Sequence, residues 1–423
     1  MTSSCLDSTT DALRPPVPGG LRARLLGAGA SVLFRRAVAR LPLRVELPDG
    51  TLLGTHSETH PLPRMIIRDP AAFFARVGTQ GLIGFGESYT AGEWTAPDPA
   101  AVLHVLATEL TRLIPRPLQR FRAALPTPPA GELGTTDNAR TNIEHHYDLS
   151  NELFHLFLDD TMTYSAALFD DAELAAGPVP WERLAAAQRH KIDRLLDAAG
   201  VRAGSRMLEI GTGWGELCVR AAARGALVHS VTLSARQQEL ARLRVAAAGY
   251  TESVCVELQD YRDVRGSYDA IVSVEMIEAV GYRHWPTYFE CLDRLLAPGG
   301  RIALQAITMP HDRMLATRTT YTWIQKYIFP GGFLPSAEAI EDTAAQHTRL
   351  RVCEQHGFGP HYAETLRLWR ERFDSRATDI ESLGFDARFR RLWQFYLAYS
   401  EAGFRSRYLD VRHFVLDRPE EQR

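Results

Sequence analysis

The sequence has little lysine, and it lacks both a long apolar run and a marked excess of charge. Only Lys191 and Lys326 are lysines, so nearly all basic residues are arginines; we attribute this bias to a GC-rich genome. The formal net charge of −3 argues against a nucleic-acid binder. No apolar run reaches the roughly 18 residues of a transmembrane helix. Residues 1–19 lack a signal-peptide core and are predicted to be a disordered tail.

Several common site motifs are also missing. The five cysteines are widely spaced and form no C-x-x-C pair, so neither a disulfide framework nor a metal site is indicated. We therefore expect a reduced, cytoplasmic compartment. There is no G-x-x-x-x-G-K phosphate loop, and no G-x-G-x-x-G turn of the kind that binds dinucleotides. A nicotinamide oxidoreductase is accordingly the function that fits least.

A glycine-rich turn is the most informative feature that is present. Met207–Ile210 is typical of a buried strand, Gly211–Gly215 follows with glycine at every second position, and Glu216–Arg224 is predicted to be helical. Glu209, an acidic residue just before G-x-G-x-G, suits a cationic nucleoside without phosphates, namely S-adenosylmethionine. The alternatives are an ordinary tight turn and, for Glu209, a structural role capping the loop amides.

The region 141–423 alternates strands and helices. The predicted strands are Arg206–Ile210, Leu227–Thr232, Val254–Leu258, Ala270–Val274 and Arg301–Ala306. This pattern predicts an α/β, doubly wound, Rossmann-like sheet of the class I methyltransferase type, with its ligand at the carboxyl ends of the strands. Asp260, after the third strand, could bond the adenine amine or cap a helix. Aromatic residues concentrated late in the chain predict a helical lid, about 311–405, over an apolar pocket.

The region 20–125 is predicted to be a small α+β domain that associates with lipid or membrane, followed by a proline-rich linker at 126–140. Leu43–Leu47 is a predicted strand and Leu103–Leu113 a predicted helix. Residues 20–42 intersperse leucine, valine and phenylalanine with arginine. This segment is either a basic amphipathic helix on an anionic membrane surface or a helix packed on the next domain with its arginines in water.

Several motifs together resemble the cyclopropane-fatty-acyl-phospholipid synthase family, which includes the mycolic acid cyclopropane synthases. They are His145–Phe154, Thr161–Ser165, the glycine loop, Val231–Ser234 with Gln237–Gln238, Tyr327–Gly332 with Leu334–Ser336, and Gly86–Tyr89 with Gly92–Trp94. The resemblance implies methylation of a cis double bond in a phospholipid acyl chain, with S-adenosylmethionine as methyl donor. It implies cofactor contacts at Tyr147, Tyr164, Ser165, Gly211, Gly213, Thr232, Leu233 and Gln237.

The resemblance also implies a bound bicarbonate as the catalytic base, held by a cysteine, a glutamate, a histidine, an isoleucine main-chain group and a tyrosine. Glu278, Ile307 and Tyr362 match this set. Ala166 stands at the cysteine position and Gln305 at the histidine position. These two departures put bicarbonate binding in doubt.

We hypothesise that a side-chain carboxylate replaces bicarbonate. Glu144, beside the His145–Phe154 motif, is the preferred candidate, although it could instead be a surface helix residue. Glu275 is the second candidate, at a strand end where the family often has glycine. If the base enters an apolar tunnel, desolvation should raise its pKa.

The altered base leaves two products open. One is a cyclopropane, and the other, which we favour, is a methylene branch that a separate flavin or nicotinamide reductase would convert to a methyl branch. We expect the protein at the inner membrane surface, where it would meet phospholipid acyl chains, and a homo-oligomer is possible. The alternative functions are a methyltransferase for a soluble acceptor and a catalytically silent subunit that binds the cofactor.

Overall fold

The computed structural model describes residues 16–55, 61–109 and 150–419. The chain forms two compact units. The first contains the described part of 1–127 together with Thr320–Lys326 and Trp369–Tyr408. The second contains the described part of 128–319, Tyr327–Leu368 and the residues from Leu409 onward. None of the helices in the described ranges is both long enough and apolar enough to span a bilayer.

The described residues contain the following regular elements. The strands are β1 (Arg44–Glu46), β2 (Leu52–Gly54), β3 (Arg64–Ile67), β4 (Trp94–Thr95), β5 (Arg206–Ile210), β6 (Leu227–Thr232), β7 (Val254–Leu258), β8 (Tyr268–Val274), β9 (Leu296–Thr308), β10 (Arg351–Gly357) and β11 (Asp410–Asp417). The α-helices are α1 (Gly20–Val38), α2 (Pro70–Thr90), α3 (Pro99–Thr108), α4 (Asn151–Phe157), α5 (Asp171–Ala176), α6 (Leu184–Ala198), α7 (Glu216–Ala223), α8 (Ala235–Ala247), α9 (Ile277–Val280), α10 (Trp285–Leu295), α11 (His311–Thr317), α12 (Trp323–Tyr327), α13 (Ala337–His347), α14 (Gly359–Ser375), α15 (Ala377–Ser382) and α16 (Ala387–Arg405).

A seven-stranded sheet forms the centre of the second unit, in the order β10-β11-β9-β8-β5-β6-β7. The neighbours from β9 to β7 are parallel, and β11 runs antiparallel to both β9 and β10. The predicted doubly wound sheet is confirmed, and all five predicted strands are present. Strands β10 and β11 have no counterpart among the predicted strands.

Both faces of this sheet are covered because its buried strands alternate their side chains. Met207 and Val272 pack on one side with apolar residues of α6, α7 and α8. Leu208 and Ile271 point to the other side, where α10 and α13 cover them. Consecutive strands extend from β5 to β7 in one direction, and β8 then returns to the opposite side of β5. The loops after β5 and β8 therefore meet at a switch point, which is where such sheets bind ligands.

The first unit contains a four-stranded sheet, in the order β2-β1-β3-β4, with helices. Asp69 caps α2 by accepting from the Ala72 amide, and Pro70 occupies the first turn, where a missing N–H costs nothing. The predicted strand at Leu43–Leu47 is β1. The predicted helix at Leu103–Leu113 is α3 at Pro99–Thr108, and residues 110–149, with the predicted linker at 126–140, lie outside the described residues.

The compact units differ from the continuous boundaries expected from the sequence. The expected lid region 311–405 divides between the two units, because Thr320–Lys326 and Trp369–Tyr408 cluster with the first unit. The physical reason is an aromatic core within that unit. Phe395 packs against Phe85, Trp94 and Trp323, with ring centroids 6.3, 6.3 and 4.6 Å away.

Candidate active site

The glycine loop after β5 has the backbone that its sequence requires. Gly211, Gly213 and Gly215 all have positive φ, at 94°, 53° and 91°, a region that side chains disfavour. A Cβ on Gly215 would lie 3.1 Å from the Ala241 backbone. Trp214 of the same loop donates from Nε1 to Asn151 Oδ1 at 2.8 Å. The loop thus leaves its main chain open to a ligand while α4 and α8 hold its sides.

Glu209 lies beneath this loop and is buried. It accepts hydrogen bonds from Ser230 Oγ at 2.5 Å and from Cys218 Sγ at 2.7 Å. Burial raises the pKa of Glu209 to about 7. Its side-chain partners therefore belong to β6 and α7, and within the described part of the chain no hydrogen bond joins it to the loop amides that we considered. This network ties the start of the loop to the sheet.

The other candidate cofactor residues lie at the ends of β6 and β7. Thr232 Oγ1 donates to Gln237 Oε1 at 2.9 Å, and half-buried Leu233 lies between them in sequence. Asp260 caps a short 3-10 helix by accepting from the Arg262 amide, and it also accepts from the Arg262 guanidinium. Burial alone would raise the pKa of Asp260, but these bonds outweigh it and lower the pKa. Asp260 thus caps this short helix, and its contact with the adenine amine stays a prediction.

The segment before α5 brings two more candidates to the same edge of the sheet. The Tyr164 ring packs on Phe154, with centroids 5.1 Å apart. Ser165 is buried, and its Oγ accepts from Lys191 Nζ at 2.6 Å. Gln188, one turn before Lys191 on α6, donates to the Ser165 carbonyl at 2.8 Å. Tyr147 and Glu144 lie outside the described residues, so their assignments stay predictions.

Glu275 is the centre of the site. It follows β8 directly and has a φ of 52°, one of the few positive values at residues other than glycine in the described chain. Its Oε1 accepts from the Ala166 amide at 3.0 Å and from Gln305 Nε2 at 2.8 Å. Its Oε2 accepts from the Tyr362 hydroxyl at 2.8 Å. Three donors from distant parts of the chain therefore converge on one half-buried carboxylate.

Glu278 on α9 provides a second carboxyl group three residues further along the chain. Its Oε1 accepts from the Ile307 amide at 2.5 Å. Its Oε2 is buried and has no hydrogen-bond partner among the described residues. Burial, and then repulsion from Glu275, raise the pKa of Glu278 to about 8. A pKa of about 8 keeps Glu278 largely protonated at neutral pH, so it can stand close to Glu275 without adding a second negative charge.

Two residues that the sequence analysis did not single out support Glu275. His413 on β11 is buried, and its Nε2 lies 2.9 Å from Gln305 Oε1. Burial keeps the pKa of His413 well below its ordinary value, so the ring is neutral. An Nε2–H donating to Gln305 Oε1 turns the glutamine NH₂ toward Glu275. Four successive residues of β11 (Asp410–Asp417) are buried, and an apolar run of this kind could have indicated a buried strand at His413.

Lys191 is the second supporting residue, and it is fully buried. Burial lowers the pKa of Lys191 to about 8, while the charge of Glu275 acts in the opposite direction. Burial likewise raises the pKa of Glu275, and the Ala166 amide, Lys191, Gln305 and Tyr362 lower it. Burial outweighs these contacts, so the pKa of Glu275 lies above its ordinary value, which suits a carboxyl group that accepts a proton.

The residues at the positions of the implied bicarbonate ligands do not fit a bound bicarbonate. Ala166 offers no thiol, and its amide already donates to Glu275. Gln305 and Tyr362 also direct their donors to Glu275. A further anion there would face the Glu275 carboxylate at close range, which is unfavourable in a desolvated site.

The sheet order, the glycine loop at the switch point and the paired carboxyl groups together define a Rossmann-like class I methyltransferase. Residues 135–414 match the family model described as mycolic acid cyclopropane synthetase. The chain belongs to this family.

Named relatives agree with this assignment. The chain is 57% identical over 418 residues to tuberculostearic acid methyltransferase UfaA1 of Mycobacterium tuberculosis, covering 98% of this chain and 97% of the relative. It is 34% identical over 350 residues to cyclopropane-fatty-acyl-phospholipid synthase of Escherichia coli, covering 82% and 86%. The solved structure of mycolic acid cyclopropane synthase CmaA1 complexed with SAH and CTAB is 31% identical, with a TM-score of 0.59, covering 66% of this chain and 97% of that one.

Proposed function

We propose that Glu275 is the base in the methylation of an unsaturated lipid chain. The protein is an S-adenosylmethionine-dependent fatty-acyl-phospholipid methyltransferase, and its acceptor is the double bond of an unsaturated acyl chain. The observation that carries the proposal is the convergence of Ala166, Gln305 and Tyr362 on the Glu275 carboxylate. These are three of the positions at which the family resemblance implies bicarbonate ligands.

The residues present suit the methyl donor. Bound S-adenosylmethionine supplies an electrophilic methyl group on a sulfonium. The open glycine loop, Thr232 and Gln237 are suited to the nucleoside and amino-acid parts, and Tyr164 offers an aromatic face, which attracts cations. In its ionised form, Glu275 adds negative charge near the positive charge that develops during transfer.

The chemistry requires a base close to the acceptor. When the methyl bonds to one alkene carbon, the neighbouring carbon becomes a cation. A hydride shift to that neighbour places the cation on the methylated carbon. Glu275 then accepts a proton from the new methyl group, and the released electron pair forms a methylene (=CH2) branch on the chain. Without the hydride shift, the same proton loss closes a cyclopropane.

We favour the branched product. A side-chain base fixed just after β8 occupies a different position from a bound anion, and this changes how long the cation persists before it loses a proton. The relative at 57% identity is named for tuberculostearic acid, and this supports a 10-methyl branch. Reducing the methylene needs two electrons and two protons, so a separate flavin or nicotinamide reductase would complete the branch.

The position of the substrate determines where the enzyme works. A phospholipid acyl chain resides in a bilayer, so we place the protein in the cytoplasm, peripheral at the inner membrane surface. A soluble acceptor is a weaker alternative because the relatives are named for lipid products. A silent subunit is also weaker, since Gln305 and Tyr362 engage Glu275 where a degenerate site would have lost such partners. A homo-oligomer remains a proposal.

The test compares two glutamates in a host fed with deuterated methyl-methionine and oleate. Glu275→Gln should abolish the labelled lipid, because a general base typically contributes about 10²- to 10⁴-fold in rate. Binding of S-adenosylhomocysteine, measured by calorimetry, should persist. Glu144→Gln should leave the product intact if Glu275 is the base. The opposite pattern would transfer the role to Glu144.

Mass spectrometry of the lipids also identifies the product. A cyclopropane ring and a methylene (=CH2) branch should each retain two deuterium atoms, and the fragmentation pattern distinguishes the two products. Three deuterium atoms on one carbon would mean that the proton left from the chain. Labelled methyl groups only on soluble molecules would contradict the lipid acceptor.

A further inference from the structure

Helix α1 packs on the rest of the first unit through Ala23, Gly27 and Val38, with the Phe34 ring against Phe73 and Phe74. Its leucine side chains are exposed instead. Ala23 and Val38 are 4% and 1% exposed, and Gly27 is buried. A Cβ on Gly27 would lie 3.2 Å from the Ala75 amide nitrogen, and one on Gly78 of α2 only 2.5 Å from the Leu26 carbonyl oxygen. This close backbone approach fixes which face of α1 is turned inward.

The opposite face of α1 presents large apolar side chains to solvent. Leu21, Leu25 and Val32 are 74%, 65% and 51% exposed. They are spaced by four and seven residues, so they lie above one another on one side of the helix. We call Leu21, Leu25 and Val32 the outer stripe. A helix that served only to cover its own domain would not leave these three large apolar side chains in solvent.

Arginines flank the outer stripe. At 100° per residue, Arg24 and Arg35 lie on one side of it, and Arg22 and Arg36 lie on the other. All four are exposed, and the sequence from residue 16 to residue 45 contains no aspartate or glutamate. An apolar stripe bordered by cations on both sides is the arrangement of helices that lie in a membrane interface, where arginines extend to the phosphates.

We propose that α1 is a docking surface for an anionic phospholipid bilayer, with the outer stripe inserted among the acyl chains and the four arginines at the phosphate level. Charge complementarity selects this occupant over a second copy of the chain, whose own α1 would bring the same positive charges to the contact. The inference rests on the proposed function only in that the substrate resides in such a bilayer.

Sedimentation of the full-length protein with vesicles tests the surface. Vesicles of phosphatidylcholine with one third phosphatidylglycerol should bind the protein, pure phosphatidylcholine should bind it much less, and high salt should weaken binding. Arg22→Gln with Arg24→Gln should reduce affinity about 30-fold, because each arginine near an anionic surface contributes about fivefold. Leu21→Gln with Leu25→Gln should reduce it about tenfold or more.

Matched control variants distinguish binding through α1 from nonspecific binding to vesicles. Leu243→Gln removes a leucine that is 61% exposed on α8, and Arg202→Gln removes an exposed arginine outside α1; neither should change vesicle binding. Wild-type binding by both α1 double variants would overturn the proposal. So would a loss of dimer in light scattering with vesicle binding unchanged, which would assign the surface to a second copy.

A detergent assay distinguishes this proposal from the proposed function. With oleoyl phospholipid dispersed in mixed micelles, the α1 variants should methylate at the wild-type rate and lose activity only on vesicles. Equal loss in micelles and vesicles would contradict a docking role. If the wild type binds anionic vesicles but methylates no lipid in either form, the proposed function fails while the docking surface stands.

Discussion

Replacing Glu275 by glycine should convert the enzyme into one that needs an added anion. The substitution removes the carboxylate and its two methylene groups, and it leaves the Ala166 amide, the Gln305 NH₂ and the Tyr362 hydroxyl directed at the vacated volume. Three convergent donors beside the Lys191 ammonium form an anion site. A small carboxylate bound there would hold its oxygens where Glu275 holds its own.

The size of the effect follows from the same contacts. Loss of the base should lower the rate about 10²- to 10⁴-fold. Glycine adopts the φ of 52° without the cost of about 1–3 kcal/mol that a side chain bears there. Three buried donors without acceptors cost about 1–3 kcal/mol each. The variant should therefore be somewhat less stable than the wild type, and an added carboxylate should restore part of that stability.

The assay measures labelled methyl transfer to oleoyl phospholipid in carbonate-free buffer, with formate, acetate, propionate or bicarbonate added. Propionate carries the same heavy atoms as the deleted side chain, so we expect it to fill the volume best. Rescue should saturate with concentration, and the anions should raise the melting temperature in parallel. Glu275→Gln, which fills the volume, should show no rescue and serves as the control.

Two results would refute this reasoning. Glu275→Gly that keeps wild-type activity in carbonate-free buffer would show that Glu275 is not the base. A folded Glu275→Gly that binds S-adenosylhomocysteine normally, yet is rescued by none of the four anions, would show that the three donors do not define the position of the base.

Three further predictions concern the groups around Glu275. Lys191→Met should lower kcat and move the acid limb of the pH profile of kcat/KM to higher pH, because the pKa of Glu275 rises further without the buried ammonium. Lys326→Met, at the only other lysine of the sequence, is the control. An unmoved profile would contradict the influence of Lys191 on Glu275. His413→Phe should lower kcat about tenfold, because the Gln305 side-chain carbonyl loses its donor and an unsatisfied carbonyl costs about 1–3 kcal/mol. His356→Phe, on the exposed edge strand, should leave kcat unchanged. Equal effects of the two substitutions would refute the positioning role of His413. The pKa of Glu278 is raised from 4.5 to about 8, so its contribution to stability is full below pH 4.5 and is lost as pH rises through about 8. Glu278→Gln should therefore lose less melting temperature on alkalinisation than the wild type, and parallel melting curves would contradict the assignment.

The sheet was predictable where the strands are buried on both faces. Met207–Ile210 and Ile271–Val274 are nearly continuous apolar runs, which parallel central strands require. The edge strand β10 is exposed along almost all its length, so no apolar pattern marks Arg351–Gly357. Strand β11 was missed with it because the expected lid extended almost to its start.

The site was only partly predictable for a different reason. The motifs identified the glycine loop, Glu278, Ile307 and Tyr362, since local patterns carry them. The bonds to Glu275 join residues 109, 30 and 87 positions apart, and their geometry depends on a left-handed backbone that no propensity favours at glutamate. The sequence therefore offered Glu275 only as the second candidate base, after Glu144, and which of the two acts stays a prediction.

The way the chain divides between the two units limits where it can be cut. Residues 320–326 and 369–408 lie within the stretch that matches the family model, but they fold with the N-terminal unit. A fragment that began at the predicted linker would carry these segments without the partners that cover Trp323 and Phe395. We therefore expect removal of the N-terminal region to destabilise both later segments. Chimaeras with the shorter mycolic acid relatives will need matched exchanges at both later segments. In recombined or truncated variants, the N-terminal region, 320–326 and 369–408 should be exchanged or kept together.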